Sequence, residues 1–255
     1  MLTTLTRAQG LQAGRLELHW AAQILATIAN SLGDAKDDFS HTALRVENGR
    51  LQVNVGNVTL SLDGGGALQI ARGADARTLP LVGLTFEQAL EESVYGLKAV
   101  RVDVEEISRL EHDLPAHPVA DGGAFEPFPP EAAEILRWLS AGAAALAPLE
   151  DFGPLYIWPH HFDVARLRKV REERTVGAGL SPGDGSYDEP YFYVTPWPYP
   201  DADKELPPLS VGTWHREGWT GAVLRGSEIL DADNRAETLS TFLREAVAAA
   251  TQLAF

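Results

Sequence analysis

Four short stretches set the frame: HTALRV (41–46), LQVNV (51–55), VTLSLD (58–63) and ALQIAR (67–72). Apolar and polar residues alternate within them, the pattern of a half-buried strand. Between them lie Asn48-Gly49, Gly56-Asn57 and the triplet 64–66 of glycine, all suited to tight hairpins. Connections this short permit only antiparallel neighbours. A chain that opens this way cannot be all-helical or a doubly wound parallel fold.

Helical periodicity brackets these strands. Leu18, Ala21, Ala22, Leu25, Ala29 and Leu32 recur at helical spacing over 11–32, and Gly33 stops the run. Thr85 and Gln88 have capping-box spacing and open a helix to about Leu97. VRVDVEEI (100–107) alternates like a further strand, and a Pro- and Gly-rich connection fills 112–130. Pro130 then leads a helix carrying Ile135, Trp138, Leu139 and Leu146 on one side. LYIWPHHFDVARL (155–167), TVGAGL (175–180), PYFYVTPW (190–197) and TGAVL (220–224) follow as strands. A last helix spans about 235–253, with Asn234 and Glu237 at its start. The expected architecture is α+β: two similar halves, each helix, antiparallel meander, helix, packed as one compact domain. The halves are 1–111 and 131–255, joined by 112–130, and their matching element order suggests an internal duplication.

Charge and composition narrow the function classes. The formal net charge is −15, a field that repels nucleic-acid phosphates and anionic membranes. RLRKVREER (166–174) is the one basic run, expected as a solvated hairpin tip. With no cysteine, disulfides, thiolate metal sites and cysteine nucleophiles are excluded. The N-terminal MLTTLTRAQG has no apolar signal core, so the expected location is the cytoplasm, as a monomer or homodimer.

The residues that invite chemistry cluster in three places. If 155–167 is one strand, His161 and Asp163 share a face, where a carboxylate fixes a histidine tautomer and makes it a base. His160 then points the other way, among Trp158, Phe162 and Val164. In the first helix, His19 and Gln23 lie four residues apart, with Asn30 further along the same side. The loop LSPGDGSYDEPYFYV (180–194) gathers Asp184, Asp188 and Glu189 before an aromatic strand containing Tyr191. His112 and His117 flank prolines and read as surface; His215 reads as a loop or edge-strand residue with no evident partner.

ELHWAAQI (17–24), SHTALRV, RTLPL (77–81), PHHFDVA, SPGD and EPYFYVTPWP occur in this order. The chain resembles an uncharacterised bacterial family, a domain-of-unknown-function group. That family shares an LHxxxQI helix, a PHHFD(V/L)A strand and an SPGD…EP loop. The resemblance implies kinship and assigns no catalytic residue, cofactor or partner.

Three functions fit these residues. One is a small-molecule-binding protein or hydrolase-like enzyme. Its catalytic pair would be His161 and Asp163, and its ligand contacts His19, Gln23, His160, Asp184, Glu189 and Tyr191. The second is a non-catalytic structural or protein-interaction module. The third is a divalent-metal site on His161, Asp163 and Glu189, with His19 or His41 contributed by the first half.

Overall fold

The computed structural model describes residues 2–104, 106–107 and 109–254. The chain is α+β, with two antiparallel sheets and five α-helices among the described residues. It divides into two units. The first comprises Leu11–Leu136 and Tyr156–Phe162; the second comprises Met1–Gly10, Arg137–Leu155 and Asp163–Phe255. The expected connection at 112–130 thus lies inside the first unit, and the change of unit falls within a helix, between Leu136 and Arg137.

The first unit opens with α1 (Gln12–Leu32), which Gly33 ends as expected. The meander β1 (Arg45–Glu47), β2 (Arg50–Val55), β3 (Val58–Leu62), β4 (Ala67–Arg72) and β5 (Asp75–Pro80) keeps its sequence order in space. β5 extends the four expected runs by one. Its outward residues are mostly exposed, so its alternation is faint. Leu51, Leu62 and Leu68 face one another across three strands, as do Val53, Leu60 and Ile70. These six side chains are buried, with α1 against β2 and β3 and α2 (Phe86–Ala99) against β4 and β5. The Thr85–Gln88 capping box opens α2.

α1 is buried on nearly every side, from Arg15 to Ala29. The side carrying His19 and Gln23 is therefore core. Gly14 allows this: a Cβ there would sit 2.3 Å from the backbone nitrogen of Ala132, at the start of α3 (Glu131–Leu146).

VRVDVEEI forms no strand among its described residues; Glu105 lies outside them. The helix end takes its first residues. Arg101 adopts a left-handed φ of 64°, Val102 N–H donates to Leu97 O and Arg101 N–H to Lys98 O. That is a Schellman ending, and it spends the amides a strand would need.

In the second unit the strands are β7 (Asp163–Arg171), β8 (Arg174–Ser181), β9 (Tyr191–Trp197), β10 (Thr213–His215) and β11 (Gly221–Arg225). Their order is β10-β11-β9-β8-β7, so β11 inserts between β9 and β10. The two units share a composition of elements but not a strand order. One sheet face carries Val164, Leu180 and Phe192 in register, and Ala178, Val194 and Ala222 beside them, all fully buried. α5 (Arg235–Leu253) packs there through Phe242, Leu243, Ala246 and Ala250. Its N-cap is Asn234, which accepts from Glu237 N–H at 3.2 Å. A short helix absent from the sequence reading, α4 (Gly226–Asp231), precedes it.

The basic run is only partly a solvated tip. Arg166 turns inward and donates to five backbone carbonyls at and beyond the end of α3, from Leu146 to Gly153. It adds side-chain donors to carbonyls at the helix end, where Leu146 O also accepts from Leu149 N–H at 3.1 Å. Arg168 packs over Phe152 at 5.3 Å and donates to Thr251.

Candidate functional site

The stretch expected as one strand is interrupted. β6 (Tyr156–Trp158) bridges Leu44 through Ile157, then 159–162 is a turn, and β7 begins at Asp163. Pro159 has no N–H for a ladder. Phe162 N–H closes the turn onto Trp158 O at 2.6 Å, with a φ of 55°. Strand alternation therefore does not set His161 beside Asp163, and the face-sharing argument for that pair fails.

Instead, the turn is held from α1. Pro159 O accepts from His19 Nε2 at 2.9 Å and from Gln23 Nε2 at 2.6 Å. Gln23 Nε2 also reaches His19 O at 3.2 Å, and its Oε1 is buried without a partner. The His19 ring stacks on Phe162 at 4.8 Å and 9°. Burial lowers the His19 pKa to about 4, so the ring is neutral and its Nε2–H is the donor. His19 and Gln23 are thus clamps on the turn.

The turn presents His160 and His161. Their rings lie 4.3 Å apart, and His112 lies 5.1 Å from His160. Burial, then repulsion from His161 and His112, lowers His160 to about 4. His161 is exposed. The histidine expected on the surface at 117 turns its side chain inward: its Nε2 lies 3.4 Å from Glu17 Oε1, with both side chains below a tenth exposed.

A second cluster occupies the sheet face opposite α5 in the second unit. Gly179 pairs directly with Tyr193, and a Cβ at 179 would sit 2.5 Å from the tyrosine ring. The bare glycine lets Tyr193 lie flat across β8, and its hydroxyl donates to the buried carboxylate of Asp163 on β7. Tyr191 is the next outward residue on β9. Its hydroxyl donates to Asp184 Oδ2 at 2.5 Å, while Asp184 Oδ1 accepts from Ser186 and Tyr187 N–H, closing the SPGDG turn. Tyr187 lies 4.8 Å from Tyr191 and donates to His215 Nδ1 at 3.0 Å. His215 Nε2–H donates to Glu217 O at 2.7 Å, and the ring stacks on Trp219 at 4.4 Å. Trp219 Nε1–H reaches Ser186 Oγ at 3.2 Å, closing the circuit on the loop. Burial first, then the neighbouring carboxylate, raises the pKa of both Tyr191 and Tyr193.

The predicted residues therefore separate. His19, Gln23, His160 and His161 belong to the turn of the first unit; Asp163, Asp184 and Tyr191 join the aromatic network of the second. Glu189 joins neither: both its oxygens bind Ser227, by backbone N–H at 2.7 Å and by hydroxyl at 2.9 Å, at the first turn of α4. His215 and Trp219 were not predicted. They reach the network only because β11 brings β10 beside β9, and no local pattern signals that insertion.

The metal reading fares poorly on the same geometry. Among the described residues, no group of three or more His, Asp or Glu is arranged to hold a metal ion. A cavity of about 310 Å³ in the first unit is lined by His41, Lys36, Arg45 and neighbours, and an apolar groove of about 1120 Å³ in the second lies along α3 and α5. His41, a candidate metal ligand, lines the first; the second is lined by no predicted site residue. No helix among the described residues is long and apolar enough to cross a membrane. The chain matches no family model, no curated protein and no solved structure.

Proposed function

We propose that the protein binds a small molecule on the outer face of β9 and its neighbours, using Tyr187, Tyr191, Tyr193, His215 and Trp219 with Asp163 and Asp184. The observation that carries this reading is the closed circuit itself. Five rings stand 4.4 to 6.4 Å from one another, tied to two carboxylates by hydrogen bonds. Aromatic walls with a few fixed polar groups are the composition of ligand sites, and side chains ordered in advance lower the entropy lost on binding. The carboxylates and His215 are already hydrogen-bonded within the circuit. That favours recognition over acid–base chemistry, so a hydrolytic role on His161 and Asp163 is the weaker proposal.

The test is a melting screen of wild type, Trp219→Ala and Asp184→Asn against neutral sugars, organic amines and aromatic acids. A compound that raises the wild-type melting temperature and loses most of that effect in both variants supports the site. No shift with any compound, or shifts that persist unchanged in both variants, would sink it.

A further inference from the structure

The connection at 109–125 lies over α1 as a strap. Leu110 N–H donates to Thr27 Oγ1 at 3.3 Å, and Trp20 Nε1–H donates to Pro115 O at 3.0 Å. Phe125 exchanges backbone bonds with Gly83 and Leu84 at 2.8 and 2.9 Å. Midway along the strap, the His117 ring stacks on Trp20 at 6.1 Å. Its Nδ1 accepts from Val119 N–H at 3.4 Å, capping a 3-10 turn. The ring proton is therefore on Nε2, 3.4 Å from Glu17 Oε1 on α1. Glu17 Oε2 is buried with no hydrogen-bond partner.

Two ionisable groups thus meet beneath the strap without a full complement of hydrogen bonds. A polar atom left unsatisfied there costs far more in an ion pair than in a neutral pair. We propose that Glu17 and His117 form a proton-conserving clasp: closed, the pair is carboxylic acid and neutral imidazole, and on opening the proton moves from Glu17 to His117. The carboxyl O–H bond breaks, an imidazole N–H bond forms, and the hydrated products are carboxylate and imidazolium. The strap then opens and closes without net proton uptake in mild acid. It also carries His112 against His160, so opening would uncover that part of the turn.

The environment supports both neutral forms. Burial, and the like charge of Glu126, raise Glu17 from 4.5 to about 7, against a backbone hydrogen bond from Glu126. Burial lowers His117 from 6.5. The other charged groups near the pair are Arg109, 5.7 Å from the Trp20 ring and 3.5 Å from Glu87 on α2, with Asp121 on the 3-10 turn and Glu131 beside Gly14.

A raised Glu17 favours the closed strap below 4.5 and loses that advantage as pH rises to about 7. A lowered His117 favours it above 6.5 and loses that advantage as pH falls. Between 4.5 and 6.5 the two slopes are opposite in sign.

Hydrogen exchange at the Leu110, Val119 and Ala120 amides, corrected for intrinsic rates, reads the opening constant. Wild type should change less than about threefold from pH 5 to 6.5. In His117→Asn, which keeps an acceptor for Val119 N–H, opening should rise about tenfold per pH unit. In Glu17→Gln it should fall, by up to about tenfold per unit. If the strap opens only with the whole unit, the urea midpoint of each variant minus that of wild type, at each pH, carries the sign of the titration that variant removes. A steep wild-type slope, or variants that slope the same way or not at all, would overturn the clasp.

Discussion

The turn at 159–162 and the outer face of β7–β9 both hold ring side chains neutral by burial, yet their titrations move in opposite directions. In the turn, imidazoles are stripped of water, and His19 and His160 are lowered to about 4. On the sheet, phenols are buried beside carboxylates, which raises Tyr191 and Tyr193. The first arrangement excludes a proton and the second retains one. The comparison teaches that one chain places an acid-sensitive element in one unit and an alkali-sensitive element in the other.

The largest expected effect tests how far the turn depends on packing. Phe162 is 1% exposed, with His19 stacked on its ring. Phe162→Ala should cost about 3–5 kcal/mol in urea unfolding, the range for a buried aromatic. A loss below about 1 kcal/mol would mean that hydrogen bonds to Pro159 alone hold the turn.

Next in size is the pH response. His19 binds a proton less readily folded than unfolded, so its contribution is complete above 6.5 and is lost as pH falls towards 4. The loss from this group is about 3 kcal/mol at most, and His19→Gln should flatten that limb of the stability curve. The tyrosines have the other sign: their contribution is complete below 10 and is lost as pH rises beyond it. Unfolding followed at both extremes would break the comparison if the acid limb is undiminished in His19→Gln.

The smallest effect sharpens the sheet. Tyr193→Phe removes the donor to a buried carboxylate and should cost about 1.5–3 kcal/mol. Gly179→Ala should cost about 1–3 kcal/mol, because the added methyl strikes the Tyr193 ring. Coupling between the two, measured by a double-mutant cycle, separates a shared role from two independent ones.

Hairpin signals, helix periodicity and caps made most of the architecture legible. Asn48-Gly49, the Thr85–Gln88 box and the Asn234 cap all act where they were expected. These are local devices, decided within a few residues. The candidate site was only half legible. Asp184 and Tyr191 were visible because a Pro-Gly turn precedes an aromatic strand, whereas Glu189 was misread because its partner, Ser227, lies 38 residues away.

What the sequence alone determined was the class, the meander and the helix ends, since hydrogen-bond geometry and side-chain alternation act over short range. What only the tertiary structure decided was which polar residues are buried and what they touch. Pro159 O draws His19 and Gln23 into the core from 136 to 140 positions away, and β11 carries His215 and Trp219 to Tyr187 and Ser186. Desolvation sets those partnerships, and the water a side chain loses depends on what packs over it, which neighbours in the chain do not reveal.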